Sequence, residues 1–472
     1  MAFDLRAPLS VFDGGIAASA ATFTGHGLIP YRDYWLLYGP LSGFVLAIPT
    51  VLLGPSIELT RSVGFAVLCC EAAAAYLVAR RWAAAIPAVA IGIAAVVMMP
   101  AIMTIDLSGW PMAMTIALLA IYLQIGTRRS GIVVGLLVGL AFLCRLDLGA
   151  YALLAVLIVR DRKAVLVGFA MVAVPFAVFA VATTPPSALF EQLIWFPLVG
   201  PRQFRGLPGP EIAFAAVTAF VLSVPLIILP RLAIAIGAAR LALIAAGRLR
   251  DPRPQAFLAL LVFAILCQFQ TQGRADIEHF SQAATPGLLL FALWFPTDRV
   301  SPARFGAIAS IVAACVVVGV AGHWLHPDMS TYDRALIATS RWVRSATDPD
   351  DRLFVGLTSH SHTFANPLIV YYLADRAPAV HETMFNPGVT DTEKGQARMI
   401  SDLKRTTPPY LVLDRRYAGL SEPWNDSRVP GSTLLDEYLA TRYFGVCDLD
   451  DFVIKARNEL NGHVPPCPTL DP

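Results

Sequence analysis

Two carboxylates with the chemistry of a general base stand in short polar segments between long apolar runs. Asp13 precedes two glycines in VFDGG, which let the backbone bend and a substrate approach, and Asp106 lies in TIDLSGW. A carboxylate positioned in this way takes a proton from an acceptor hydroxyl. The alternative for Asp13 is an Asx-turn or a helix N-cap before IAASAATF, and for Asp106 it is a cap in a short loop. The residues alone leave both readings of each carboxylate open.

Arginines near the same segments have the chemistry of phosphate ligands, because a guanidinium group matches phosphate with paired donors. Arg32 and Asp33 lie in GLIPYRDYWLLYGP, where Arg32, Tyr31, Tyr34 and Trp35 also read as anchors at a membrane interface. Arg145 and Asp147 lie in CRLDLG, and they also read as a self-satisfied pair. A charged pair at membrane depth is costly and usually lines a polar cavity.

Further candidates for holding a diphosphate or monophosphate group lie in two more polar segments. They are Arg202 and Arg205 in PLVGPRQFRGLPGP, within the predicted loop 184–210, and Arg274 and His279 in QGRADIEHF. The alternative for these residues is an ordinary solvated loop. No metal-binding spacing of the Cys-x-x-Cys or His-x-x-x-His kind occurs, and no nucleotide-binding glycine pattern is present.

The elements that must position these residues belong to a membrane protein. Of 472 residues 56% are hydrophobic and only 15% are charged, and the mean hydropathy is +0.61. Soluble domains carry about a quarter charged residues. Apolar runs of about 20 residues therefore predict an α-helical polytopic membrane protein.

Ten candidate spans can be placed on the chain. They are 60–79, 83–102, 109–127, 131–145, 147–159, 164–183, 211–229, 255–271, 283–297 and 305–324. Five short basic loops fall on one side only if the apolar segment 36–54 does not cross, so we read 36–54 as a re-entrant or interfacial helix. Residues 229–247 fit either an interfacial helix or an extension of the preceding span.

This topology gives three regions. Residues 1–35 form a first extracytoplasmic loop, 36–326 form the transmembrane domain, and 327–472 form an extracytoplasmic α/β domain. Both termini then lie outside, which leads us to expect a further transmembrane helix upstream of residue 1. The Ala-, Arg- and Pro-rich composition suggests a GC-rich bacterium, so we expect the protein to lie in a bacterial inner membrane.

The C-terminal region has the pattern of a small α/β domain. Strands are predicted at 352–357, 410–414 and 451–456, and amphipathic helices at 392–406 and 432–444. Cys447 and Cys467 lie in this region, where a disulfide is possible outside the cytoplasm.

Taken in order, these motifs resemble the GT-C superfamily of membrane glycosyltransferases. The resemblance is carried by Asp13 in a first external loop, by G..PYRDYW..YGP, by MPAIMTIDLSGWP and by GLLVGLAFLCRLDLGAYALLA. It is greatest to the bacterial group that includes the lipid A aminoarabinose transferase and the protein O-mannosyltransferases. It covers roughly residues 10 to 280, and the C-terminal domain also fits.

The resemblance implies inverting transfer of a sugar from a polyprenyl-phosphate donor to a glycan, lipid or protein acceptor on the external face. Asp13 would be the base or a metal-binding carboxylate, Asp106 its partner, and Arg32 and Arg145 phosphate contacts. A divalent metal is possible, and nucleic acid is not an expected partner. Many relatives have a second acidic residue near the first, whereas Gly14 and Gly15 follow Asp13 here.

Two other classes of function remain open. A transporter or flippase of lipid-linked sugars would also place Arg and Asp within the membrane, although such proteins usually show repeated halves. A non-catalytic GT-C-like scaffold would bind the lipid without turning it over.

Overall fold

The structure is a computed structural model that describes residues 13–98, 107–126, 131–159, 161–204, 228–249, 253–273, 277–290, 331–363, 365–416 and 431–468. The helices before residue 300 are α1 Asp13–Gly25, α2 Leu41–Leu53, α3 Ile57–Ala79, α4 Ala85–Met98, α5 Gly109–Ile125, α6 Gly131–Cys144, α7 Leu146–Val156, α8 Arg162–Thr183, α9 Pro186–Phe190, α10 Phe196–Phe204, α11 Leu229–Ala245, α12 Pro254–Gly273 and α13 Ile277–Leu289. Their apolar faces enclose one helical core.

Three helices among the described residues are long and apolar enough to cross a membrane, at Ile57–Ala79, Arg162–Thr183 and Pro254–Thr271. On α8 the side chains of Met171, Val174 and Val178 are more than half exposed, which suits contact with lipid. The predicted α-helical membrane fold is therefore confirmed. The predicted spans 211–229 and 305–324 lie outside the described residues, apart from the last two residues of the first.

Helix α2 lies within the segment that we predict not to cross. It has 13 residues and contains Pro49. At 1.5 Å per residue it reaches about 20 Å, which is short of the roughly 30 Å of a bilayer core. Its last turn leaves Leu52 and Leu53 each 76% exposed. The re-entrant or interfacial reading of 36–54 stays a prediction, because α6 and α7, which are predicted as spans, have only 14 and 11 residues.

Residues 186–204, which follow α8, are helical, although 184–210 is predicted to be a loop. A single π-helical turn, Glu191–Trp195, joins α9 to α10. Phe190, Ile194 and Leu198 are exposed along one side, whereas Gln192 and Phe196 are buried on the other. The spacing of four residues within each set is that of an amphipathic helix.

The C-terminal α/β domain, residues 331–468 as described, is built on a five-stranded sheet. Its elements are α14 Thr331–Ala346, β1 Arg352–Leu357, α15 Ile369–Ala374, β2 Ala377–Pro378, α16 Glu393–Thr406, β3 Tyr410–Asp414, α17 Leu434–Arg442, β4 Tyr443–Leu449 and β5 Phe452–Arg457. The strand order is β2-β1-β3-β5-β4, with β1 parallel to β2 and β3, and β5 antiparallel to β3 and β4. The three predicted strands are present, and β4 replaces the predicted end of the last helix.

The two faces of the sheet have different partners. Side chains alternate between faces along a strand, so Phe354 of β1 faces one way and Leu353 and Val355 the other. Phe354 packs with Met399 of α16 within the domain. Leu353 and Val355 share a core with the N-terminal segment.

The N-terminal segment supplies a large part of that shared core. Helix α1 contributes Ile16 and Phe23, and the residues that follow contribute Tyr31, Tyr34 and Trp35, each 1–5% exposed. The interpretation of these three aromatic residues as membrane-interface anchors is therefore wrong. They are buried because the C-terminal domain covers them.

Cys447 of β4 and Cys467 form a disulfide across a sequence separation of 20 residues. Replacing both by alanine is expected to lower the free energy of unfolding of the domain by about 3 kcal/mol, because a loop of this length is no longer closed in the unfolded chain. Denaturant unfolding in detergent, with and without reductant, measures this loss.

The matched control for the disulfide is the pair Cys69→Ala and Cys70→Ala, since these cysteines of α3 are free and exposed. Reductant should have no effect on the double-alanine variant at 447 and 467. Equal stability of the wild type in the presence and absence of reductant would contradict the prediction.

Candidate functional site

Arg145 is the centre of a buried polar cluster at the junction of α6 and α7. The residue is 7% exposed, and its Nε donates to Asp147 Oδ1 at 3.0 Å. Its guanidinium carbon lies 4.6 Å from the ring centroids of both Tyr38 and Trp110. A cation held between two aromatic faces is stabilised by both rings, most strongly where water is excluded.

Gln270, near the end of α12, completes this Arg145 cluster, which we define as Arg145, Asp147, Tyr38, Trp110 and Gln270. In the amide orientation that satisfies both neighbours, Gln270 donates to Asp147 Oδ2 at 2.9 Å and accepts a hydrogen bond from Arg145. Arg145 and Asp147 thus bond to each other and both bond to Gln270. The cluster still brings together four polar segments that are far apart in the sequence.

Close approach of two backbones fixes the position of Tyr38 over Arg145. A Cβ on the adjacent Gly39 would collide with the carbonyl oxygen of Leu143. On the other side, Trp110 Nε1 donates to the carbonyl of Gln282 on α13 at 2.9 Å. The segment that carries Asp106 therefore ends beside the cluster, although Asp106 itself lies outside the described residues.

A tight turn of residues 30–36 presents Arg32 and Asp33 at the surface. Arg32 donates through Nε and one terminal nitrogen to Asp33, at 2.8 and 2.7 Å, and its side chain is 42% exposed. Asp33 also accepts from the Ile29 amide at 2.8 Å. Burial alone would raise the pKa of Asp33, but Arg32 and this amide hold it below its ordinary value, so the carboxylate stays ionised.

The 30–36 turn is joined to the Arg145 cluster and to the C-terminal domain. Tyr31 donates its phenolic hydrogen to the carbonyl of Tyr38 at 2.8 Å. The Trp35 amide donates to the His381 carbonyl at 2.7 Å, and Thr383 Oγ1 donates to the Trp35 carbonyl at 3.2 Å. Displacement of the domain would therefore disturb both candidate sites.

Asp13 is the first residue of α1, and its side chain lies outside the described part of the structure. A Cβ on Gly15 would lie 2.8 Å from the Ile369 amide nitrogen and 2.9 Å from Leu368 Cβ. Gly15 is therefore needed for close contact with the start of α15, and the approach of a substrate is not required to explain it.

The remaining predicted residues are only partly placed. Arg202 is in α10, but its side chain is not described, and Arg205 and Arg274 lie outside the described residues. His279 is half-buried in the first turn of α13 and takes part in contacts. Among the described residues, no group of three or more His, Cys, Asp or Glu side chains comes together to hold a metal ion. A metal that used Asp13 or Asp106 therefore stays a prediction.

The contact between the C-terminal domain and the 30–36 turn depends on pH through His381. Its Nε2 lies 3.1 Å from the Tyr31 carbonyl and its Nδ1 lies 3.8 Å from Glu382 Oε1. Burial alone would lower the pKa of His381, but Glu382, the Tyr31 carbonyl and Asp402 raise it above its ordinary value near 6.5. A raised pKa in the folded state means that protonation stabilises the fold.

We expect wild type to be more stable than His381→Gln at and below about pH 6.5, with the difference shrinking as pH rises through the raised pKa. Glutamine keeps a donor for Tyr31 but carries no charge. Melting temperatures in detergent across the pH range measure the difference. His463→Gln, an exposed histidine near the C-terminus, is the matched control. A difference that is constant with pH, or that grows as pH rises, would contradict the assignment.

Tyr38, Trp110 and Gln270 were not predicted as site residues, although Tyr38 and Trp110 lie in the segments quoted above and Gln270 lies in the candidate span 255–271. Gln192, which bonds to the 30–36 turn, was not predicted either. A periodicity signal existed for Gln192, since exposed Phe190, Ile194 and Leu198 alternate with buried residues at helical spacing. No local pattern marks the other three, because their partners are distant in the sequence.

The described residues form an apolar helical bundle with a charged cluster at helix ends, joined to an α/β domain. This is the architecture of a helical membrane protein. The fold of this chain is similar to that of solved GT-C proteins. The chain matches ArnT from Cupriavidus metallidurans in its apo state with a TM-score of 0.57 and 14% identity, over 96% of this chain and 94% of that chain. ArnT bound to undecaprenyl phosphate gives a TM-score of 0.58 and 14% identity, over 96% and 95% of the two chains.

The arabinofuranosyltransferase AftD from Mycobacteria matches less well, with a TM-score of 0.44 and 15% identity over 88% of this chain and 35% of that chain. No family model matches the sequence, and no curated protein matches it. The two matches to ArnT confirm the resemblance to GT-C proteins at the level of the fold.

Proposed function

We propose that the protein transfers a sugar, with inversion, from a polyprenyl-phosphate-linked donor to an acceptor hydroxyl. The reaction takes place at the extracytoplasmic face of a bacterial inner membrane, with the C-terminal domain on that side. The acceptor is a glycan, a lipid or a protein. The observation that carries the proposal is the meeting of four polar segments, at Tyr38, Trp110, Arg145 and Gln270, at the ends of apolar helices.

The donor class is supported by chemistry and by the fold. A polyprenyl chain stays in the bilayer, so its phosphate must be met where helices end and polar segments begin. The match to ArnT bound to undecaprenyl phosphate extends over 96% of the chain. Arg32, 42% exposed, uses two of its nitrogens for Asp33, and the third nitrogen is directed to no other described residue. That nitrogen is the proposed phosphate ligand.

The chemical step follows from these assignments. Asp13, as a carboxylate, takes the proton of the acceptor hydroxyl while the oxygen attacks the anomeric carbon from the face opposite the phosphate. The bond between the anomeric carbon and the phosphate oxygen breaks, and polyprenyl phosphate leaves with the electron pair. Positive charge from Arg32 stabilises the leaving group, and Arg202, Arg205 and Arg274 are proposed to add to it. The Arg145 cluster holds the segments in place.

Binding of the lipid product tests the proposal without requiring the acceptor. Polyprenyl phosphate is expected to raise the melting temperature of the protein in detergent, whereas a polyprenol of the same length is not. Arg32→Ala should weaken the affinity by roughly tenfold, the effect of losing one charge-assisted hydrogen bond.

The matched control is Arg405→Ala, an arginine of the C-terminal domain that pairs with Asp402 at 2.8 Å and is 71% exposed. It should bind like wild type. Equal stabilisation by polyprenol and by polyprenyl phosphate would show that the phosphate is not recognised and would overturn the proposed donor.

A further inference from the structure

Tyr31 adopts a backbone conformation that a large side chain rarely takes. Its φ is +66°, and its amide donates to the Tyr34 carbonyl at 3.0 Å to close the 30–36 turn. Left-handed backbone at an aromatic residue is unfavourable and persists only where the surroundings hold it. Arg32 follows directly, so the position of its guanidinium depends on what holds Tyr31.

Two side chains from different parts of the fold hold the carbonyl of Tyr31. Gln192 Nε2 donates to it at 2.9 Å, and His381 Nε2 lies 3.1 Å from it. Gln192 also accepts from the Leu36 amide at 3.0 Å through Oε1. One amide group therefore bridges the two sides of the turn.

The local structure around Gln192 is built for this contact. The residue is fully buried and lies in the π-helical turn Glu191–Trp195, while Ile194 of the same turn faces outward. Single π turns widen a helix locally and occur often at functional sites. Both polar atoms of Gln192 bond to the turn, so the residue acts on a substrate only through the turn.

We propose that Gln192 is a positioning residue that holds the 30–36 turn in the conformation that presents Arg32 to the phosphate of the lipid donor. This inference rests on the proposed function for the identity of the ligand. The geometry alone assigns the bridge across the turn. Gln192 is not a catalytic residue, because it does not reach the reacting atoms.

The bridge requires one donor and one acceptor on the same side chain. Leucine supplies neither. Glutamate supplies both only when it is protonated, since its hydroxyl then donates to Tyr31 and its carbonyl accepts from Leu36. Gln192→Glu should therefore recover function as pH falls, which a purely packing role would not produce.

The experiment measures the affinity for polyprenyl phosphate in detergent for wild type, Gln192→Leu, Arg32→Ala and the double variant. We expect Gln192→Leu to lose about tenfold in affinity, close to the loss in Arg32→Ala, and the double variant to lose no more than Arg32→Ala alone. Gln192→Glu should approach wild-type affinity toward acidic pH and fall below it toward alkaline pH.

The matched control is Gln396→Leu. Gln396 is fully buried in the C-terminal domain and bonds to the carbonyls of His360 and Ser432, so the same change costs stability there without touching the turn. It should lower the melting temperature and leave the affinity unchanged.

Four outcomes decide the matter. Losses that multiply in the double variant, or a Gln192→Leu variant that binds like wild type, would overturn the positioning role. If wild type binds the lipid and the variants show the expected pattern, but no sugar is transferred, the positioning role of Gln192 stands and the proposed transferase activity is refuted. No binding of polyprenyl phosphate by wild type would overturn both.

Discussion

Replacing Arg145 by methionine is expected to lower the free energy of unfolding by about 3 kcal/mol, at the lower end of the range for breaking a buried ion pair by removing one partner. The guanidinium is buried between Tyr38 and Trp110, and among the described residues it is the cation that pairs with Asp147. Without it, Asp147 is left partly buried, 31% exposed, with the Gln270 side-chain amide and the Leu148 backbone amide as its remaining partners. Denaturant unfolding in detergent micelles measures the loss.

Removing the carboxylate of Asp147, which has no cation in the Arg145→Met protein, tests whether the loss of stability comes from an unpaired charge. Asp147→Asn placed in the Arg145→Met protein should recover part of the lost stability, because no uncompensated charge then remains. Arg162→Met is the matched control, since Arg162 is exposed and its side chain donates to the Leu157 carbonyl. It should cost no more than about 0.5 kcal/mol. Equal losses in the two arginine variants would contradict the assigned role of the cluster.

Replacing Asp13 by asparagine is expected to reduce the rate of sugar transfer by roughly 100- to 10,000-fold, the usual contribution of a general base. Asparagine is as well suited as aspartate to the start of a helix, so α1 should form as in wild type. The initial rate of polyprenyl phosphate release, together with the melting temperature of the variant, separates loss of chemistry from loss of fold.

Asp161→Asn is the corresponding control, because Asp161 is the residue before α8 and has no assigned part in the chemistry. It should retain the wild-type rate. An Asp13→Asn protein that transfers sugar as fast as wild type would mean that Asp13 only begins a helix.

The membrane fold and the strands of the C-terminal domain follow from local pattern. Continuous apolar runs specify membrane helices because the bilayer offers no partner for a free backbone group. The strands 352–357 and 410–414 are short apolar runs whose observed bounds agree with the prediction. The helix predicted at 432–444 instead ends at Arg442, and β4 begins at Tyr443, where pairing with β5 decides the conformation.

The aromatic residues of PYRDYW show where local reasoning fails. Tyr31, Tyr34 and Trp35 have the composition of a membrane-interface anchor, yet all three are buried against the C-terminal domain. The residues of that domain that bond to Tyr31 and Trp35 lie 350 and 348 positions later in the chain, so no local pattern reveals the contact. For the same reason Gly15 looked like a residue that admits a substrate, whereas it admits α15.

The candidate site was predicted by segment more than by residue. CRLDLG was identified as a charged pair at helix ends, and the structure places its pair there. The partners Tyr38, Trp110 and Gln270 come from three other segments, and only the packing of α5, α6, α7 and α12 brings them together. Gln192 was missed because residues 184–210 were interpreted as a loop, whereas α9, the π turn and α10 occupy their first part.

The most direct test of the central claim is the fate of a labelled polyprenyl-phosphate-linked sugar in proteoliposomes that contain the wild-type protein and envelope material as acceptor. Sugar transfer predicts that free polyprenyl phosphate appears and that the label moves to the acceptor. Movement of the intact lipid between leaflets without cleavage would identify a flippase. Binding of the lipid without either event would identify a non-catalytic scaffold, and each of these two results would contradict the account.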